Sequence, residues 1–256
     1  MAGRRRYGAV NAPGSALDTV RNAAEATGLR LRGAFLCEPE DKVPAQRDGG
    51  ESRTLILLGN LGGSLWPDFS RSTEARDGRP DPMNRWSARV IGALAVRFGG
   101  LALFPFGGPP YHPFLRWAQR AEGLAASPLG MLIHPVYGLW HAYRGAIALG
   151  SALDLPRLAA VASPCESCAE RPCLSACPVD AFSGSGYDVA ACADHLRDPA
   201  EEDCLSGGCL ARRACPVGRE HRYDAPQAAF HMEAFLTAQG AQMKTVTKTA
   251  TQTEPR

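Results

Sequence analysis

The chain has 256 residues, of which 45% are hydrophobic and 21% charged, and its formal net charge is +2. This composition excludes global disorder and allows one large domain, or a medium domain with a small one. A charge so near neutral gives no reason to expect nucleic acid or a membrane surface as a partner. No segment approaches the roughly 18 apolar residues of a spanning helix, and no export signal follows the basic run Arg4–Arg6. We therefore expect a cytoplasmic protein.

The first elements follow from capping residues and apolar runs. Ser15 predicts the start of a helix, because Asp18 three residues later completes a capping pair. Residues 29–37 are a predicted strand. The run Leu55–Leu58 is a short, continuous apolar segment, which is typical of a buried strand that ends at Gly59.

The second half of this region repeats the mixture of helices and strands. Asp81 followed by Pro82 is a typical helix start, with the cap first and proline at the first helical position. Three strands and one helix are predicted after it, in the order Leu101–Phe104, a helix over 113–122, Met131–His134 and Leu139–Leu149. Strands and helices thus mix across 15–150, which indicates an α+β domain with a sheet at its centre.

The remaining chain is different in composition. A last helix begins near Asp224 and Pro226 and is predicted to end near Gly240. The residues after it are rich in Thr, Lys and Gln and have almost nothing to bury. The predicted organisation is a flexible N-terminus (1–14), a sheet-containing cofactor-binding domain (15–160), a cysteine-rich domain with its closing helix (161–240) and a disordered tail (241–256).

Eight of the nine cysteines lie between residues 165 and 215. In a cytoplasmic chain such a cluster indicates metal rather than disulfides. The first group reads C-x2-C-x4-C-x3-C-P and runs from Cys165 to Cys177. The second consists of Cys192 and a C-x4-C-x5-C-P group that ends at Cys215.

This pattern is typical of two [4Fe–4S] clusters. In bacterial ferredoxins three thiolates of a tight loop hold one cluster, and the fourth cysteine, just before a proline, ligates the other cluster. Both Cys177 and Cys215 precede proline. The predicted ligands of the first cluster are Cys165, Cys168, Cys173 and Cys215, and those of the second are Cys177, Cys192, Cys204 and Cys209.

The alternative for the eight cysteines is a pair of zinc sites, because C-x2-C and C-x4-C spacings also suit zinc. Zinc ribbons rarely show the paired Cys-Pro ending, so the pattern favours clusters. The ninth cysteine, Cys37, lies at the end of an apolar strand and is predicted to be a buried packing thiol.

Two segments resemble known families. The stretch from Met131 to Gly145 (MLIHPVYGLWHAYRG) resembles the I-H-P-x-(F/Y)-G-x-W-x-A-x-R-G segment of the cobalamin-processing protein of methylmalonic aciduria and homocystinuria type C. Segments around Leu55–Ser70 and Asp81–Met83 are similar to it in order. The resemblance implies a nitroreductase-like α+β fold over about residues 15–150, with binding of cobalamin and use of a flavin such as FMN.

The cysteine region resembles a second family. Cys165 to Pro178, Tyr187 to Cys192 and Cys204 to Pro216 are similar in order to the ferredoxin half of epoxyqueuosine reductase, with reductive dehalogenases as more distant relatives. This resemblance implies a small domain like a bacterial ferredoxin, with two [4Fe–4S] clusters and a cobalamin against the nearer one. Both resemblances are family analogies and concern a corrinoid.

Four residues of the Met131–Gly145 segment are candidates for cofactor binding. Arg144 is a charge inside a strand pattern, so it pairs on the sheet face or binds an anion of a ligand. Trp140 and Tyr143 stack on a planar cofactor or belong to the core. His134 precedes a proline at a strand end and either caps the backbone or serves the site.

The function that follows is an oxidoreductase or a cofactor-processing protein. Electrons from a redox partner protein enter through the clusters and reduce a corrinoid, whose cobalt then loses an upper ligand. One alternative is a ferredoxin-type electron carrier whose first domain only docks a redox partner. Another is a flavin-dependent reductase of a small molecule.

Overall fold

The computed structural model describes residues 14–183, 186–198 and 202–250. The predicted flexible terminus 1–14 lies outside these residues, except for Gly14. The part of the predicted disordered tail beyond Ala250 also lies outside them. The described chain mixes helices with short antiparallel sheets, so the fold belongs to the α+β class, as the sequence indicates.

The helices and strands have the following bounds. The helices are α1 (Ala16–Glu25), α2 (Trp66–Ser70), α3 (Thr73–Arg76), α4 (Pro82–Arg97), α5 (Phe114–Glu122), α6 (Pro172–Ser175), α7 (Val189–Arg197), α8 (Glu202–Gly207), α9 (Leu210–Ala214) and α10 (Ala225–Ala250). The strands are β1 (Arg30–Leu36), β2 (Thr54–Leu61), β3 (Leu101–Leu103), β4 (Ala125–Ala126), β5 (Leu132–Ile133), β6 (His141–Leu149), β7 (Phe182–Ser183) and β8 (Gly186–Tyr187).

The chain divides into two compact units. The sheet unit comprises the residues up to Ala125 together with His141–Ala162, and the cysteine unit comprises Ala126–Trp140 together with the residues from Ser163 onward. The sequence had placed 126–140 in the sheet-containing domain. This segment belongs to the cysteine unit because its apolar side chains, Leu129 among them, are buried among the cysteines.

A four-stranded antiparallel sheet in the order β1-β2-β6-β3 forms the centre of the sheet unit. Its strand β2 lies between two neighbours, and Leu55–Leu58 are fully buried. Their full burial means that both faces of the strand are covered, which explains the continuous apolar run. Helix α4 packs against β6 and β3, and α5 packs against β1.

The strand β2 continues beyond its predicted end at Gly59. A bulge separates Leu58 from Gly59, and across it β6 has one extra residue, Arg144. A Cβ atom on Gly59 would lie 1.9 Å from the carbonyl oxygen of Ala142, so a glycine is required where the strands approach. A second bulge, on β1, leaves Arg32 between the paired residues on either side of it. Bulges of this kind redirect side chains and are over-represented beside functional sites.

The core of the cysteine unit contains cysteines and aliphatic side chains together. Three cysteines, Cys173, Cys177 and Cys215, are buried in one apolar cluster with Ile133 and Leu139. Helix α10 packs against α8 and α7, and α6 packs against α9. Cys192 lies in α7, Cys204 lies in α8 and Cys209 precedes α9, and α7 packs against α8.

The start of β6 and the end of α10 also differ from the sequence prediction. Strand β6 begins at His141, because the two residues before it form a turn that belongs to the cysteine unit. Helix α10 does not end near Gly240 but continues to Ala250. An internal glycine costs a helix only about 1 kcal/mol relative to alanine, and this segment contains no proline that would end it. In the part of the chain that the structure describes, no helix is both long and apolar enough to cross a bilayer.

Candidate functional site

The eight clustered cysteines lie on turns and short helices of the cysteine unit. Cys173, Cys192 and Cys204 lie within α6, α7 and α8. Cys209 and Cys215 are the residues that flank α9 at its two ends. All nine cysteines of the chain carry free thiols.

The four predicted ligands of the first cluster line a single cavity. Cys165, Cys168, Cys173 and Cys215 share its walls mainly with proline and aliphatic side chains. Burial raises the pKa of the Cys165 thiol, and the charges of Cys215 and Cys168 raise it further. Burial likewise raises the pKa of Cys173, which is also raised by the other three thiols. These four residues are the predicted ligands of the first cluster.

The predicted ligands of the second cluster are Cys177, Cys192, Cys204 and Cys209. Burial is the largest cause that raises the pKa values of the last three, and thiols of the same group contribute to each shift. Cys177 and Cys204 act on Cys192, Cys192 and Cys177 act on Cys209, and Cys209 acts on Cys204. The thiols that act on one another therefore belong to the same two sets of four as the spacing predicts, and their role as cluster ligands stays a prediction.

Hydrogen-bond donors surround these sulfur atoms. The backbone N–H of Ala181 donates to the Sγ atom of Cys177 over 3.3 Å. At the start of α9, backbone N–H groups of Ala211 and Arg212 donate to Cys209. The hydroxyl of Tyr187 donates to Cys192. Such donors stabilise negative charge on sulfur, which is what thiolates of a cluster require.

Among residues 14–183, 186–198 and 202–250, no group of three or more His, Cys, Asp or Glu side chains converges in a way that would hold one metal ion.

Arg212 fastens the segment 126–140 inside the cysteine unit. Its Nε and one terminal nitrogen donate to the carbonyl oxygen of Leu139 at 3.1 and 2.6 Å. Its guanidinium lies 4.4 Å from the ring centroid of Trp140 and 4.6 Å from that of Tyr223. A cation between two aromatic rings is attracted by both π-systems. Arg212 was not identified as a candidate from the sequence, where it is one of several arginines among the cysteines.

Two of the four candidate cofactor residues lie in the cysteine unit. Trp140 is buried against Tyr223, with ring centroids 5.3 Å apart, and so belongs to a core cluster. His134 serves the backbone, because its Nδ1 accepts from the N–H groups of Val136 and Tyr137 at 3.0 and 3.1 Å. These contacts fit the structural alternative for both side chains, and cofactor binding by Trp140 and His134 stays a prediction.

Tyr143 belongs to a buried polar cluster of the sheet unit. Its hydroxyl donates to Glu122, whose carboxylate also accepts from the fully buried Arg32 at 2.9 Å. The guanidinium of Arg32 lies 4.5 Å from the Tyr143 ring centroid and 3.1 Å from Nδ1 of His141. Burial raises the pKa values of the Glu122 carboxyl and the Tyr143 phenol. No local sequence pattern indicates Arg32 or Glu122, because the two residues are far apart in the chain.

Arg144 has different partners from its neighbour Tyr143. Its Nε donates to the hydroxyl of Ser87 at 3.0 Å and a terminal nitrogen donates to Oδ1 of Asn84 at 2.7 Å, both on α4. The guanidinium also lies 5.7 Å from the ring centroid of Phe106. These contacts with Ser87 and Asn84 hold the guanidinium of Arg144 in a fixed orientation.

Comparisons with known proteins give matches among solved structures alone. No protein-family model matches the chain, and no curated protein matches it. A solved epoxyqueuosine reductase is similar with 15% identity and a TM-score of 0.43, over 70% of this chain and 52% of its own. The chain thus spans about half the length of that protein.

Two further solved structures are similar to the chain. The epoxyqueuosine reductase from Streptococcus thermophilus has 15% identity and a TM-score of 0.45, over 83% of this chain and 70% of its own. The B12-trafficking protein CblC of C. elegans has 12% identity and a TM-score of 0.44, over 86% of this chain and 95% of its own. These structural neighbours are of the same two kinds as the families that the sequence segments resemble.

Proposed function

We propose that the chain is an iron–sulfur redox protein that carries two [4Fe–4S] clusters in its cysteine unit. The observation that carries this proposal is the grouping of eight free thiols into two sets of four. The first cluster is held by Cys165, Cys168, Cys173 and Cys215, and the second by Cys177, Cys192, Cys204 and Cys209.

The surroundings of the thiols fit such clusters. The walls of the first cavity are mostly apolar, and two of its four thiols, those of Cys173 and Cys215, are buried. Buried thiols with raised pKa values give up their protons when a metal coordinates them. When bound, the clusters provide one-electron transfer at a potential set by burial and by hydrogen bonds to sulfur. The exchange of Cys177 and Cys215 between the two sets is the ligation of a bacterial ferredoxin, so we propose a ferredoxin-like fold for this unit.

The proposed electron acceptor is a corrinoid bound by the sheet unit, which we propose is nitroreductase-like. The resemblance of Met131–Gly145 to cobalamin-processing proteins supports this choice. So does Arg144, whose charge is oriented by Asn84 and Ser87 at a bulge and is suited to an anionic or amide group of a ligand. Electrons come from a redox partner protein, and the free thiols fit a reducing cytoplasm.

Two other functions remain distinct outcomes of the same experiment. A ferredoxin-type carrier needs the clusters but no small molecule. A flavin-dependent reductase needs FMN in place of the corrinoid. Each would leave the cysteine arrangement unchanged, so ligand binding separates them.

The test is a titration of the anaerobically purified protein with cob(II)alamin and, separately, with FMN, followed by absorption spectroscopy. Corrinoid binding with a shift to a base-off spectrum supports the proposal. Binding of FMN alone supports the flavin reductase, and binding of neither leaves the electron carrier.

The role of Arg144 is tested in the same titration. Arg144→Ala is expected to weaken corrinoid binding about tenfold, the loss of one charged contact of roughly 1.5 kcal/mol. Arg89→Ala is the matched control, because Arg89 lies on α4 and pairs with Glu74 instead. An affinity equal to that of the control removes Arg144 from the binding site.

A further inference from the structure

Ser127 is fixed by its backbone in the turn between β4 and β5. Its N–H donates to the carbonyl of Met131 at 2.7 Å, and its own carbonyl accepts from the N–H of Gly130 at 2.9 Å. These two hydrogen bonds satisfy the backbone N–H and C=O groups of Ser127 and fix the position of its Cα atom.

The hydroxyl of Ser127 is buried without a partner. The residue is 8% exposed, and its Oγ has no hydrogen-bond partner among the described residues. An unmade hydrogen bond of a buried hydroxyl costs about 1–3 kcal/mol, so each such group requires an explanation.

The explanation is the cavity that Ser127 lines. Its walls include the four thiols of the first set, and most of the others are proline and aliphatic side chains such as Ile133 and Leu139. Apart from Ser127 itself, the side chains of this cavity that can accept a hydrogen bond are those of the four cysteines, and the cavity is where the proposed function places the first cluster.

We propose that the hydroxyl of Ser127 donates a hydrogen bond to a sulfur atom of the first cluster. Ser127 is thereby a residue that sets the reduction potential of one cluster and not of the other. The inference rests on the proposed function, because it requires a cluster in this cavity.

The direction of the effect follows from charge. Reduction adds one electron to the cluster, and an O–H dipole aimed at sulfur stabilises the more negative state. In an apolar cavity this stabilisation is stronger than in water. Removal of the hydroxyl therefore lowers the potential of the first cluster.

The experiment is a redox titration of the full chain, monitored by electron paramagnetic resonance, with wild type and Ser127→Ala. One of the two reduction steps is expected to move to lower potential, with unchanged iron content. Ser175→Ala is the control, because the exposed Ser175 donates to the carbonyl of Pro172 at 3.3 Å. Two unchanged steps, or an equal shift in the control, overturn the inference.

A second pair of variants separates the hydroxyl from the shape of the side chain. Ser127→Thr and Ser127→Val have nearly the same shape and differ in the hydroxyl. The Thr variant is expected to keep the wild-type potential, and the Val variant to show the lower potential or to lose the first cluster. Equal behaviour of the two overturns the inference. A wild-type protein without clusters contradicts the proposed function instead, so the two failures are distinguishable.

Discussion

Arg212 offers a test of how the segment 126–140 is held in the cysteine unit. Arg212→Ala removes both donors to the carbonyl of Leu139 and the contacts with the rings of Trp140 and Tyr223. A hydrogen bond to a charged group contributes about 1.5–3 kcal/mol, and each cation–π contact about 0.5–1 kcal/mol. We expect the free energy required to open this segment to fall by about 3 kcal/mol.

The assay is hydrogen exchange of the anaerobic holoprotein, read by mass spectrometry on peptides from 126–140. A loss of about 3 kcal/mol accelerates exchange about a hundredfold when reclosing is fast and the opening equilibrium sets the exchange rate. The substitution leaves in place the backbone N–H of residue 212 that donates to Cys209. The clusters are therefore expected to remain.

The neighbouring arginine provides the control. Arg213 pairs with Asp203, whose side chain is 64% exposed, and such surface pairs contribute at most about 1 kcal/mol. Arg213→Ala is expected to accelerate exchange about fivefold at most. Equal exchange in Arg212→Ala and Arg213→Ala would refute the reasoning.

Three further predictions concern other parts of the structure. Tyr187→Phe removes the hydroxyl that donates to Cys192 and is expected to lower the potential of the proposed second cluster in a redox titration. Glu122→Ala leaves the fully buried Arg32 without its carboxylate and is expected to lower the free energy of unfolding by about 3–5 kcal/mol. Gly138→Ala places a Cβ atom 2.0 Å from a backbone carbonyl oxygen and is expected to cost about 2 kcal/mol more than Gly130→Ala, where the space is open.

Each of these predictions has a result that contradicts it. For Tyr187→Phe it is an unchanged potential of the second cluster, or a shift in the first one. For Glu122→Ala it is a loss below about 1 kcal/mol in denaturant unfolding, the size of a surface pair. For the two glycines, which both have positive φ angles, it is equal stability of the two alanine variants.

The local elements could be predicted because their signals are local. Ser15 caps α1 as its spacing to Asp18 predicts, with the side chain accepting from the Asp18 N–H. Leu55–Leu58 form a buried strand because a continuous apolar run needs cover on both faces. The assignment of the eight cysteines to two sets of four follows from the spacing and the two Cys-Pro pairs, and it stays a prediction.

The assignment of segments to units and the pairing of distant residues depend on tertiary packing, which the periodicity of the sequence does not indicate. The segment 126–140 has apolar residues that would suit either unit, and only packing assigns them to the cysteine unit. The bulges that hold Arg32 and Arg144 depend on strand register. The pair of Arg32 with Glu122 joins residues 90 positions apart, which no local pattern reveals.

The metal content of the chain tests the central claim most directly. The protein purified without oxygen is analysed for iron, acid-labile sulfide and zinc in a single quantitative measurement. Two [4Fe–4S] clusters predict about eight irons and about eight sulfides per chain, with zinc near zero. Zinc in place of iron, at about two ions per chain, would contradict the assignment of the cysteines to clusters.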